Sequence, residues 1–243
     1  MVQRLGHGEI SEVYLARRLT GLPLLATLKL SSSRAAKSLY AREAAALRKL
    51  HTLDPDREGP YYSRLLPEVI AHGAVEGDVA TEGLAFVHPS SYWGSLDALN
   101  ERFANGIDPR HAVWIWRRIL DVLRYIHHHD WIHGDIRPEH ALVDAVNHGV
   151  RLIGWASATE RPNRQDKALD LSRSARVVQA LLVGTASADS LPGGVPKGLA
   201  KLVTRAATDL DFCRTEGARG LDAAIQTEAR NAFGPPTFLP LTI

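Results

Sequence analysis

Apolar positions along this chain change their rhythm near residue 90. Before it they gather in short runs. Residues 13–16 and 24–30 are two such runs, separated by the turn residues Gly21 and Pro23, and they predict a β-hairpin. Residues 34–51 are rich in alanine and place Leu39, Ala46, Leu47 and Leu50 on one face, which predicts a helix. Residues 54–60 have the composition of a loop, and two further strands are expected near 67–72 and 82–87.

Beyond residue 90 the period becomes helical. Val113, Trp116, Leu120, Leu123 and His127 recur at three- and four-residue steps, beside a second stripe of Ile115, Ile119, Val122 and Ile126. An apolar face that wide belongs to a long, mostly buried helix. Short strands are expected at 141–144 and 150–153, joined through Asn147-His148-Gly149, and helices at 168–183 and 198–208. Strands first and helices later predict an α+β chain in two lobes, divided near residues 88–91.

Composition narrows the function classes. With 243 residues, 45% hydrophobic and 23% charged, the chain matches an ordinary soluble globule, long enough to bury about 70% of its unfolded surface. A net charge of +2 with no basic block indicates neither a nucleic-acid nor a membrane partner. The densest basic pair, Arg117-Arg118, reads as a solvated helix face. One cysteine, Cys213, excludes an intramolecular disulfide and fits a cytoplasmic address. No run reaches the roughly 18 apolar residues of a spanning helix, and the first residues lack the apolar core of a signal peptide. The apolar residues of the 233–240 tail suit docking as an extended segment.

Several motifs carry chemistry. Gly6-His7-Gly8-Glu9-Ile10-Ser11-Glu12-Val13 lies between two candidate strands. It suits either a hairpin turn or a loop whose backbone comes close to phosphates. Lys29 lies inside the apolar run 24–30, after Ala26-Thr27-Leu28, where an ammonium needs an anion or a route to water. Glu43, on the following helix, reads as an exposed helix charge. Residues 133–140 read His-Gly-Asp-Ile-Arg-Pro-Glu-His after a helix end, and Asp135 in them suits a loop carboxylate that accepts backbone N–H bonds. His127, His128 and His129 project in different directions from a helix end, so no metal site is expected there.

In this order the motifs resemble the protein-kinase-like superfamily over roughly residues 4–184. The resemblance implies a bilobal fold, with a β-rich N-lobe over residues 1–88 and a helical C-lobe over 89–243. It implies that Gly6, Gly8, Ser11, Val13, Thr27, Lys29, Phe86 and His88 contact a nucleotide, that Lys29 pairs with Glu43, and that Asp135 and Arg137 belong to the catalytic loop. Asp170 would hold that loop from beneath. Three departures bear on activity. The family's metal-binding Asn is here His140, its metal-binding Asp is Gly154, and the Arg that clamps a phosphorylated activation loop is Gly134. Mg²⁺ requires oxygen ligands, so Mg²⁺ is not expected, and the segment before Asp170 is short. The resemblance therefore implies a pseudokinase that binds protein partners, with ATP held weakly or without metal. The alternative is an active atypical phosphotransferase with Asp135 as base and non-standard metal use.

Overall fold

A computed structural model describes residues 2–22, 24–76, 80–184 and 191–243; Pro23, one of the expected turn residues, lies outside them. The chain is mixed α and β, with a five-stranded antiparallel sheet and seven helices among the described residues. It divides into two compact units, and the first takes back a short piece of later chain: Met1–Ser90 with Gly154–Ser157, against Ser91–Ile153 with Ala158–Ile243.

The first unit contains β1 (Gln3–His7), β2 (Glu12–Arg17), β3 (Leu25–Ser31), α1 (Ala36–Leu50), a short α2 (Gly59–Ser63), β4 (Val69–Ala74) and β5 (Glu82–Val87). Its sheet has the order β1-β2-β3-β5-β4, with every neighbour antiparallel. Register places Lys29 opposite Val13 on one side and Leu84 on the other. Helix α1 buries Tyr40, Ala44, Leu47 and Leu50, which recur at helical spacing, while Arg48 and Lys49 occupy the last turn, where positive charge favours the helix dipole. Tyr40 takes the core position expected of Leu39, which is half-buried. The stretch expected to be loop ends in α2, with Pro60 in its first turn, where a missing N–H costs nothing.

The second unit contains β6 (Gly94–Ser95), α3 (Leu96–Arg102), α4 (Pro109–His128), β7 (Trp131–Ile132), β8 (Ala141–Asp144), β9 (Gly149–Leu152), β10 (Thr159–Glu160), α5 (Arg164–Val183), α6 (Lys197–Thr208) and α7 (Leu210–Phe233). Asp108 caps α4 by accepting from Arg110 N–H at 2.8 Å, with Pro109 as the first helical residue. Both expected stripes of α4 are buried, apart from the half-buried Val113 and His127. Helix α5 starts four residues earlier than its apolar period suggests, because Asn163 and Asp166 form a reciprocal capping box. Against α5, the buried Trp116 indole donates to Ser174 Oγ at 3.0 Å. The 234–243 tail lies on the unit. Leu241 is buried, Phe238 stacks on His148 at 4.3 Å between ring centroids, and Leu239 O accepts from His148 Nε2 at 2.9 Å.

Among the described residues no helix is long and apolar enough to cross a membrane. Trp116 is fully buried, so Trp116→Ala should lower stability by about 3–5 kcal/mol. Ser174→Ala, which removes only the hydroxyl partner, should cost about 1 kcal/mol. Urea unfolding followed by circular dichroism checks both, and equal losses would contradict the packing role given to the indole.

Candidate functional site

The candidate residues fall into two groups, one in each unit. In the first unit the β3 register turns Lys29 toward α1, and its Nζ donates to both Glu43 oxygens, at 2.9 and 2.8 Å. The pair is largely out of water, with side-chain exposures of 18% for Lys29 and 3% for Glu43. Glu43 Oε1 also accepts from Trp155 N–H at 3.2 Å, so the glutamate joins α1 to the returning segment of its own unit. The Lys29 ammonium stands 5.4 Å from the centroid of the Phe86 ring. Phe86 is buried and sits opposite Thr27 across the β3–β5 pair.

The other expected nucleotide contacts have partners within the unit. Thr27 Oγ1 and His88 Nδ1 are 3.0 Å apart, and burial lowers the His88 pKa. Ser11 Oγ lies 2.7 Å from Tyr40 Oη, and Gly8 N–H donates to Ser11 O at 2.7 Å, closing the β1–β2 turn. Val13 is half-buried in β2. A Cβ at Gly6 or Gly8 would meet no heavy atom within 4 Å, so the fold itself has no need of glycine at either place.

In the second unit the loop at 133–140 is held by a buried carboxylate. Asp170, fully buried on α5, accepts from His133 N–H at 2.8 Å, from Gly134 N–H at 2.9 Å and from His127 Nε2 at 3.2 Å. One turn along, Arg173 donates to Gly134 O, a role the sequence reading did not assign. The three-residue step from Asp170 puts it on the same helix face, and that spacing was the available signal. Gly134 has φ +79°, which suits glycine.

Asp135 is engaged by its neighbours. Its Oδ2 lies 3.3 Å from Arg137 Nη2 and 3.2 Å from His140 Nδ1, and its own carbonyl is 2.9 Å from the same ring nitrogen. The Arg137 guanidinium faces the same ring, with Nε 3.4 Å from Nδ1 and Nη2 3.5 Å from Nε2. The resemblance gives two positions to a metal. At one, His140 offers a nitrogen already committed to Asp135; at the other, Gly154 has no side chain and adopts φ +78°. These residues do not fit Mg²⁺, which needs oxygen ligands. The nearest upstream carboxylate, Asp144, is used by its own turn, where it accepts from Val146 N–H, Asn147 N–H and Asn147 Nδ2.

His133 is fully buried, and burial pushes its imidazole pKa down to about 4. The neutral ring is matched on both sides: Nε2–H donates to Ile153 O at 3.0 Å, and Nδ1 accepts from Asp135 N–H at 3.2 Å. That fixes one tautomer.

No family model matches the chain. Over 81 residues, 33% of the chain, it is 35% identical to the STE20-related kinase adapter protein strd-1 of Caenorhabditis elegans. The matched stretch is only 21% of that protein's length.

Two outcomes follow from this geometry. Because the folded pKa of His133 lies below its unfolded value of about 6.5, the unfolded state binds the extra proton. Its contribution is thus complete above pH 6.5 and is lost as pH falls toward about 4. The loss is on the order of 3 kcal/mol, and His133→Gln should flatten the pH dependence of urea unfolding across that window. Separately, Lys29→Met strands the buried Glu43 and should cost about 3–5 kcal/mol, much of it recovered by adding Glu43→Leu. A double mutant no more stable than Lys29→Met would remove the stranded charge as the cause.

Proposed function

We propose that this chain is a protein-kinase-like domain acting as a pseudokinase, a regulatory module that engages protein partners and does not transfer phosphate. One observation carries this reading. The residue at the general-base position, Asp135, is bound by Arg137 and His140, and the two metal positions supply one committed nitrogen and one glycine. Phosphoryl transfer in kinases depends on metal ions bridging the β- and γ-phosphates. A domain without oxygen ligands at those positions keeps the loop's shape and lacks its electrostatics. The partial similarity to a protein whose name describes a kinase adapter fits a role through protein partners.

The first unit supports a nucleotide held without metal. Lys29 is positioned by Glu43, and the backbone at Gly6 and Gly8 is free of side chains that would keep a phosphate away. That same pair favours a second reading, an active atypical phosphotransferase with Asp135 as base, since a kinase uses such a pair to order the α- and β-phosphates.

Thermal melting with ATP, with and without Mg²⁺ or Mn²⁺, combined with a γ-phosphate transfer assay, separates the readings. The pseudokinase reading expects no turnover, and any stabilisation by ATP should be equal with and without metal and reduced by Lys29→Met relative to that variant's own baseline. Metal-dependent transfer abolished by Asp135→Asn would overturn it in favour of the phosphotransferase.

A further inference from the structure

Helix α4 carries Trp114, Arg117, Asp121 and Arg124 at three- and four-residue steps, so these side chains form one stripe. Helix α7 breaks at Gly217, where φ is +64°, and resumes with Arg219 and Asp222 three residues apart. Between the two stripes lies a cavity of about 540 Å³, lined also by Arg118 and by His148 of the β8–β9 turn. Four arginines and two aspartates give the lining a net charge of +2.

The charges are unevenly committed. Arg117 Nε pairs with Asp222 at 2.7 Å and Arg124 Nη2 with Asp121 at 3.2 Å, which holds both guanidiniums in set directions. Arg118 spends only its Nε, on His148 O at 2.9 Å, and its terminal amino groups carry no other bond among the described residues. Arg219, exposed on α7, makes no hydrogen bond or ion pair among them. The Trp114 indole is stacked flat on His148, 4.4 Å between centroids and 2° between planes, and His148 is stacked in turn on Phe238, giving the cavity a braced aromatic wall.

We propose that this cavity binds a phosphate monoester through Arg118 and Arg219, with Arg117 and Arg124 as flanking charges. A monoester carries about −1.5 to −2 near pH 7, which matches the net charge of the lining, whereas a carboxylate carries one. Guanidinium forks match phosphate oxygens two at a time, and arginine is the residue such recognition needs. The volume exceeds that of a bare phosphate and leaves room for the group that bears it. The ester has two possible sources, a phosphorylated side chain of a protein or a free organic phosphate. The site shares no residue with the Lys29 and Asp135 groups, so its failure would leave the proposed function untouched.

Calorimetric titration of the full chain at constant ionic strength tests the assignment. The probes are glycerol 3-phosphate, a phosphoserine peptide, its unphosphorylated twin, and sulfate. Saturable binding of a monoester is expected, weakened about tenfold or more by Arg219→Ala and by Arg118→Ala. Arg219→Lys, which keeps the charge and loses the fork, should recover only part of the affinity. Tighter binding of the phosphopeptide assigns the phosphate to a protein, and tighter binding of glycerol 3-phosphate assigns it to a free metabolite. No saturable binding, affinity equal to that of sulfate, or affinity unchanged by Arg219→Ala in a variant of unaltered melting temperature would each overturn the proposal.

Discussion

The loop at 133–140 depends on the buried carboxylate of Asp170. A charge without solvent is costly unless donors surround it, and here three do: two consecutive backbone N–H groups and the His127 ring. Those donors belong to the loop and to α4, so a single side chain on α5 ties three segments of the unit together. With the backbone at His133 and Gly134 fixed, the His133 ring is directed inward and bridges Asp135 N–H and Ile153 O. The direction of Asp135 follows from that scaffold.

The two candidate groups resolve their charges in different ways. In the first unit one ammonium meets one carboxylate at short distance and low exposure, with a third contact from Trp155 N–H, so the charges are matched in pairs. In the second unit Asp135 meets both an arginine and a histidine while remaining a third exposed. Such a partly solvated arrangement contributes little to stability compared with Asp170 beneath it. Both contacts fall on one carboxylate oxygen, Oδ2, so the loop's charges are settled among its own side chains.

Much of the element pattern was legible from periodicity. The α4 stripes and the hairpin run that contains Lys29 rest on spacing, and the structure buries or pairs them accordingly. Boundaries were less legible wherever polar chemistry set them. Asn163 and Asp166 move the start of α5 upstream of its first apolar residue, and α3 is too short for a period to emerge. Helix α7 breaks at Gly217, where φ is +64°, and resumes beyond it, a boundary the sequence expectation did not extend to.

The sequence by itself determined the order of elements and the candidate residues, with a histidine at position 140 and a glycine at 154, because residue type and spacing are local properties. Only the tertiary structure decided how those residues use their charges. The same polar atom can meet water, a neighbour or a distant helix, and spacing along the chain does not distinguish these. Arg117 and Arg118 show the difference. Read along α4 they are a solvated face; with α7 packed alongside, they line a cavity with Arg219, more than ninety residues away in sequence.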